Sequence, residues 1–505
     1  MKLLSLLFAI IFAIIFSILV GVSSVAGSTV TIQPSEAATA IPTVVVPSPA
    51  LKWKVRPGTG SWTRPAIRGD VIFLTTGNSS VAALDAETGA TKWKFNAELA
   101  SFEGTSPILA GDRVLFAGND HKREGAFPDY EDTFTGYMYS LDAKTGEERW
   151  RFKADEERLT KAVVIDGFAY FGAGQETARI GGRNDQPRGA IYSVNVATGA
   201  VRWKLEIPDG DVWATPVVKN GVLYFIDRTG YQARNSFLYA IDLKTQREKW
   251  RLEIDDYFED TLFDPVIAGD LIYVTGHYRL YAVNALTGKL KWSFDATRQA
   301  AGLSLASCCA GGNSKYLQIE KGAVHPIYAT NVFTSIYTPQ VQVSSPPTIV
   351  GGVAYFSVNL DNGKPVVQGY SRKVDFYLLG LDASTGKERW RYKSEEEVRG
   401  EVAIKDGVIY MTTDFPYLLQ AIDIKSGQLK WQFELESFSI GPPVVSKGVV
   451  YVADYDRYFY AVLTEPVGMP KSGYPALVLV IILVMAIMSL SLGIFLRMQI
   501  GATNI

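Results

Sequence analysis

Seven stretches of this chain obey one rule: an apolar residue, Asp or Asn, a short turn ending in Thr-Gly or a close relative, and a Trp nine positions after the first residue. "LDAETGATKWKF" (84–95), "LDAKTGEERWRF" (141–152) and "VNVATGAVRWKL" (194–205) are followed by "IDLKTQREKWRL" (241–252) and "VNALTGKLKWSF" (283–294), then by "LDASTGKERWRY" (381–392) and "IDIKSGQLKWQF" (422–433). Such a period marks one supersecondary unit that buries its apolar face against copies of itself. The Asp or Asn can bond the backbone amides just ahead, and the Gly can take positive φ, so the pair makes a strand-to-strand turn. Gln246 stands in place of the Gly in the fourth copy, so that turn is expected to be strained or of another type. After each turn, charged residues alternate with Trp and Phe, the pattern of an antiparallel strand with one wet face.

An apolar hairpin around glycine precedes each copy, as in "PVVKNGVLYF" and "VAIKDGVIYM", and there are eight of them. Asn-Gly and Asp-Gly are strong hairpin signals. Each unit therefore carries four strands. Eight hairpins against seven Trp strands leave the last unit, ending in "RYFYAVL" (457–463), without its fourth strand. The missing strand is "LKWKV", with Trp53, at the start of the body. The expected fold is all-β, an eight-bladed β-propeller over residues 51–463, closed by the N-terminal strand joining the last blade. Closure limits exposed strand edges, and a linear array has no reason to split a unit between its ends.

The two ends have a different character. Residues 1–26 read as a signal peptide: Lys2, an apolar run, then Ser24-Val25-Ala26 as a cleavage site. An uncleaved N-terminal anchor is the alternative. Residues 27–50 form a Ser/Thr/Pro linker and residues 464–475 a stalk. Residues 476–496 carry no charge across 21 positions, enough to span a bilayer at about 1.5 Å per residue. A transmembrane helix is expected there, with residues 497–505, starting at Arg497, as a cytoplasmic tail. The expected location is thus a single-pass membrane protein with its propeller on the extracytoplasmic side.

The net charge of −2 gives no bulk drive toward nucleic acid. That neutrality hides a segregation. The connections leaving each Trp strand are mostly acidic, including Asp255 and Asp256, and Glu395, Glu396 and Glu397. Propeller geometry puts these connections on one face, so an acidic face is expected, suited to solubility or to docking a basic partner. The three histidines (His121, His277, His325) lie far apart without metal-ligand spacing. No phosphate loop or nucleophile elbow is present.

The D-A-x-T-G-x-x-x-W grammar over residues 51–463 resembles the PQQ-like (pyrroloquinoline-quinone-type) β-propeller family. That family includes quinone-dependent alcohol dehydrogenases and non-enzymatic members such as a lipoprotein that helps assemble outer-membrane barrels. The resemblance implies a blade-docking role for Trp53, Trp93, Trp150, Trp203, Trp250, Trp292, Trp390 and Trp431. It also implies, for an enzyme, a quinone and calcium site in which Trp213 is the floor, Glu176 a metal ligand, and Asp260 or Asp264 the base. Tyr231 stands where that branch has its Asn ligand. The leading expectation is therefore a non-catalytic, membrane-tethered module that binds or scaffolds protein or cell-envelope partners through its acidic face, with no cofactor. A PQQ- and calcium-dependent alcohol or sugar dehydrogenase is the alternative, and a ligand or cation sensor using the central funnel is a third.

Two features stand outside the repeat. Residues 118–137 lengthen the second blade, and residues 296–344 form an insertion before the sixth, expected to loop over a propeller face. That insertion holds the only two cysteines, Cys308 and Cys309. Adjacent Cα atoms lie about 3.8 Å apart across a trans peptide, whereas disulfides favour about 4.4–6.8 Å. A strained vicinal disulfide stiffening a turn is the expectation for an exported chain; free thiols or an intermolecular bridge are the alternatives. Adjacent cysteines also resemble the pair that covers the quinone in the dehydrogenases, although those enzymes place it early in the chain.

Overall fold

In the computed structural model each repeat becomes an antiparallel sheet of four strands, with a short fifth strand in the third and sixth blades, Arg158–Leu159 and Gln342–Val343. The structure describes residues 48–58, 63–76, 80–97, 105–124, 131–174, 189–208, 210–227, 235–255, 263–299, 317–320, 323–326, 342–361, 374–439 and 441–465. The first blade runs Ala66–Arg68, Val71–Thr76, Ser80–Asp85 and Thr91–Asn96, each strand paired to the next. Six further blades follow in the same order. The eighth consists of Val444–Ser446, Val449–Ala453 and Phe459–Leu463, and its fourth strand is Leu51–Val55 from the other end of the body. The ladder pairs Trp53 with Ala461 and Val55 with Phe459. The body is an all-β, eight-bladed propeller closed by its first strand.

The turn chemistry repeats from blade to blade. Asp85 Oδ1 accepts the amides of Glu87 and Thr88, both at 3.0 Å. Asp142, Asn195, Asp242, Asp382 and Asp423 accept equivalent pairs. Beyond the turn, Trp93 lies opposite Ala83, Trp250 opposite Ala240 and Trp390 opposite Gly380, with a register shift immediately after. A small partner gives each indole room to lean out of its own sheet toward the next blade.

There the indole meets the next turn. Nε1–H of Trp53, Trp93, Trp150, Trp250 and Trp292 donates to the carbonyls of Ala86, Ala143, Val196, Ala285 and Ala383, at 2.8–3.2 Å. Trp431 donates to Thr464 at 2.7 Å. The ring also covers the turn glycine: a Cβ on Gly288 would lie 2.6 Å from the Trp250 ring. Gly288 has φ 69°, so sterics and backbone both call for glycine. Gln246, its counterpart in the fourth blade, keeps the same turn. It donates to Asp242 O at 2.7 Å, as Gly89 does to Asp85 O at 2.8 Å, and it takes a left-handed φ of 57°. The turn is therefore strained rather than of another type. Trp203, whose indole faces this turn by register, is 8% exposed. Its Nε1 has no hydrogen-bond partner among the described residues.

Eight apolar clusters fill the eight seams. One joins Ile72, Leu74 and Leu84 of the first blade to Val449, Tyr451 and Phe459 of the eighth, so the closing seam is packed like the others. The extension of the second blade is a continuation of its two middle strands, Arg113–Glu124 and Glu131–Asp142, paired to the tip. In the insertion before the sixth blade the described elements are a short helix, Ala296–Gln299, a hairpin of Leu317–Glu320 with Ala323–Pro326, and Gln342–Val343, which joins the sixth sheet. Cys308, Cys309 and residues 476–496 lie outside the described residues, as do residues 1–26. Among the described residues no helix is long and apolar enough to cross a membrane.

Candidate functional site

Up-down order fixes what each face carries. The glycine hairpins and the Asp-Thr-Gly turns share one face. The turns between second and third strands share the other face with the connectors between blades. Both chain exits lie on the first: Leu463 N donates to Ala50 O and Thr464 N to Gly448 O, both at 3.0 Å. Leaving the connector face clear, this places the loops free of the Trp–Gly contacts on the opposite side.

A cavity of about 250 Å³ opens on the connector face. Four connectors and one middle strand of the second blade build it: Thr105 and Ser106, Gly118 and Asn119, Arg158 to Lys161, Trp213 and Thr215, and Asp264. Trp213 and Asp264, 51 positions apart in sequence, thus come to one pocket. Trp213 Nε1–H donates to Asp211 Oδ2 at 2.5 Å, and the Arg158 guanidinium carbon lies 4.4 Å from the Trp213 ring centre. Asp264 takes Lys161 Nζ at 2.5 Å on one oxygen and the Thr215 amide at 2.6 Å on the other. Tight backbone approach supports the wall: a Cβ on Gly174 would lie 2.1 Å from Asp211 Oδ1.

The pocket is polar and internally engaged. Arg158 and Lys161 are two cations inside an otherwise acidic connector, "ADEERLTKA". That break in the acidic run is the signal a sequence reading passes over. Glu176, Asp256 and Asp260 lie outside the described residues, and Asp255 ends the strand Glu248–Asp255. Behind the wall, Asp227 is 1% exposed and accepts Phe237 N at 2.6 Å and Tyr239 Oη–H at 3.0 Å. Burial pushes its pKa up to about 6. A calcium-bound quinone needs an open aromatic face and free carboxylate oxygens. The described side chains do not fit it as they stand: Arg158 covers one face of Trp213, and both Asp264 oxygens already have partners. Among the described residues no three His, Cys, Asp or Glu side chains are grouped to hold a metal ion.

Four-stranded blades, each outer-strand Trp seated on the next blade's turn and a polar cavity on the connector face, define a PQQ-type β-propeller. The chain belongs to the PQQ-like repeat family whose model is described as outer membrane protein assembly factor BamB, which matches residues 44–257, 187–359 and 375–465. It is similar to a polyvinylalcohol dehydrogenase of Sphingopyxis sp. (strain 113P3), with 27% identity over 252 residues, 43% of this chain and 37% of that enzyme. It is also similar to the outer membrane protein assembly factor BamB of Yersinia pestis, with 26% identity over 304 residues, 49% of this chain and 70% of that protein. Thus the match to the dehydrogenase takes in well under half of that enzyme's length. Among solved structures, the quinohemoprotein alcohol dehydrogenase of Comamonas testosteroni superposes with a TM-score of 0.56 at 15% identity, covering 84% of this chain and 78% of that one. At that identity the likeness is one of fold.

Proposed function

We propose that this chain is an envelope protein-binding or scaffolding propeller, tethered to a membrane through residues 476–496 and non-catalytic. Residues 1–26 act as the export signal in this reading, and the propeller stands outside the cytoplasm. The observation that carries it is the division of the ring. Both chain exits lie on the face locked by Asp, Trp and Gly, so a tether at either end leaves the connector face pointing away and open to partners. On that face Glu395 is exposed, and Glu396 is held above the usual carboxylate range by burial, by Glu395 and by Asp414. Such like-charge crowding favours a cationic partner. Similarity to assembly factors of the outer membrane supports the same reading.

The test is chemical crosslinking in native membranes, comparing the wild type with a variant carrying Lys at positions 395, 396 and 397. The expected result is loss of the crosslinked species with the circular-dichroism spectrum and melting unchanged. Identical crosslinking by the two proteins counts against the acidic face. One observation favours a second reading, a quinone-dependent dehydrogenase: Trp213 and Asp264 share a cavity. Titrating the full chain with the quinone and calcium decides it, and saturable binding with dye reduction by alcohols establishes the enzyme.

A further inference from the structure

Four aromatic rings cross the seam between the seventh and eighth blades on the connector face. Phe415 lies 4.9 Å from Tyr417, Tyr417 6.2 Å from Phe438, and Phe438 stacks on Tyr455 at 4.7 Å with an interplanar angle of 17°. Two of them stand in solvent, Phe415 at 73% and Tyr455 at 45% exposure. Large rings this exposed are uncommon unless they meet something. The backbone holds them out at a cost. Phe415 has φ 36°, and Arg457, in the turn that carries Tyr455, has φ 78°. Left-handed residues other than glycine cost energy and gather where a surface has a task. Tyr455 N donates to Phe438 O at 2.9 Å, which locks the two halves of the ladder together.

Carboxylates border one end. Asp414 precedes Phe415, and its amide donates to Glu397 O at 3.1 Å, which brings the 395–397 run alongside. Glu395 is exposed and Glu396 half-buried, while Asp414 is buried; burial, then the charges of Glu395 and Asp414, raise the pKa of Glu396. At the other end the protein itself shows what rings on this edge accept. Lys54 Nζ lies 3.5 Å from the Tyr458 ring centre and the Arg56 guanidinium carbon 4.0 Å from it, while Lys54 also pairs with Glu436. A cation seated on an aromatic face with a carboxylate beside it is therefore built into this seam once already.

We propose that the Phe415–Tyr417–Phe438–Tyr455 ladder, with the carboxylates of Glu395 and Glu396 beside it, docks an extended peptide segment that carries arginine or lysine side chains. The cations lie over the rings and pair with the carboxylates, as Lys54 does over Tyr458. Nucleic acid and anionic lipid surfaces are repelled by the same carboxylates, and a neutral sugar would take the rings but gain nothing from the charges. The proposal rests on the scaffolding reading and names the chemistry of its partner.

The test uses the full chain and a fluorescent decapeptide of alternating arginine and serine, read by anisotropy. The same peptide with citrulline for arginine, and a neutral hexasaccharide of glucose, are the comparisons. Saturable binding is expected for the arginine peptide alone, weakening as salt rises. Phe415→Leu and Tyr455→Leu keep apolar bulk but remove the ring, and each should weaken binding by about two- to fivefold, the scale of an exposed cation–π contact. Glu395→Gln with Glu396→Gln should weaken it similarly. Equal binding of the citrulline peptide, preference for the hexasaccharide, or indifference to both leucine substitutions overturns the proposal. If the arginine peptide fails to bind while charge reversal at 395–397 still abolishes crosslinking in membranes, only the ladder is refuted; if neither responds, the face reading falls with it.

Discussion

The seam between the third and fourth blades makes a quantitative prediction. Gln246→Gly should stabilise the protein. Two terms can be worked from the structure. A side chain held at φ 57° costs about 1–2 kcal/mol relative to glycine in the same conformation. Against this, glycine widens the unfolded ensemble by about 0.4–1 kcal/mol. The second term is Trp203, whose Nε1–H is buried without a partner among the described residues. Its counterparts bond the residue after the turn Asp or Asn, as Trp250 bonds Ala285 at 3.1 Å. Leu243 holds that position in the fourth blade, and it packs in the same apolar cluster as Trp203. If removing the Gln246 side chain lets the indole reach Leu243 O, a buried donor is satisfied, worth about 1–3 kcal/mol. The net expectation is about 1–5 kcal/mol of added stability.

The reverse change gives the control. Gly288→Gln would place a Cβ 2.6 Å from the Trp250 ring. It adds the left-handed cost and displaces an indole that now donates to Ala285, so a loss of about 2–4 kcal/mol is expected. Urea unfolding of the full chain, followed by Trp fluorescence, measures both. Opposite shifts of the two midpoints at unchanged slope support the argument. If Gln246→Gly is neutral or destabilising while Gly288→Gln is tolerated, the Trp-on-glycine contact does not govern the seams, and the reasoning fails.

Three other outcomes are expected. Asp227 titrates near 6 in the fold against 3.8 unfolded; because its folded value is raised, its contribution is full below pH 3.8 and lost as pH climbs to about 6, roughly 3 kcal/mol in all. Asp227→Asn should therefore flatten the stability profile between those values and raise stability at neutral pH, as read by urea midpoints across pH. Trp431→Ala removes a fully buried indole and its bond to Thr464 at the seam between the seventh and eighth blades, so a loss of about 3–5 kcal/mol is expected, and a loss under 1 kcal/mol would show that this indole does not hold the seam. Mass spectrometry of the unreduced peptide containing Cys308 and Cys309 should find it two hydrogens lighter than the reduced form; equal masses would mean the thiols are free.

The ring was legible because its determinants are local. Asp or Asn, Gly and Trp sit within ten residues of one another in every copy but the fourth, where Gln246 replaces the Gly, and each acts on the turn beside it or the blade next door. Even the closing strand could be read, since one unit lacked what the other end supplied. The small residue opposite each Trp was also available, always two positions before the turn Asp or Asn: Ala83, Ser140, Ser193, Ala240, Ala282, Gly380 and Ala421. Its meaning depends on cross-strand register, which the turn alone does not display. The pocket was half legible. Trp213 and Asp264 came from a family resemblance, whereas Arg158 and Lys161 look in sequence like ordinary charges on a connector. The packing of blades two to five brings Arg158 over Trp213 and Lys161 onto Asp264.

The same locality explains where function can reside. On the turn face nearly every position has a fixed obligation: the Asp caps amides, the glycine yields space to an indole, and the carbonyl after the Asp accepts its Nε1–H. A partner there would compete with the contacts that hold the ring together. The connector face has no such repeated rule. Its loops are free to diverge, and they have done so by blade: Arg158 over Trp213 and Lys161 on Asp264 between the second and fifth blades, and an aromatic ladder bordered by carboxylates across the seventh and eighth. Both ends of the propeller body leave from the constrained face, so a tether there, as proposed, would not compete with recognition for surface. A ring of similar units thus acquires direction, with one face committed to cohesion and the other left free of that rule.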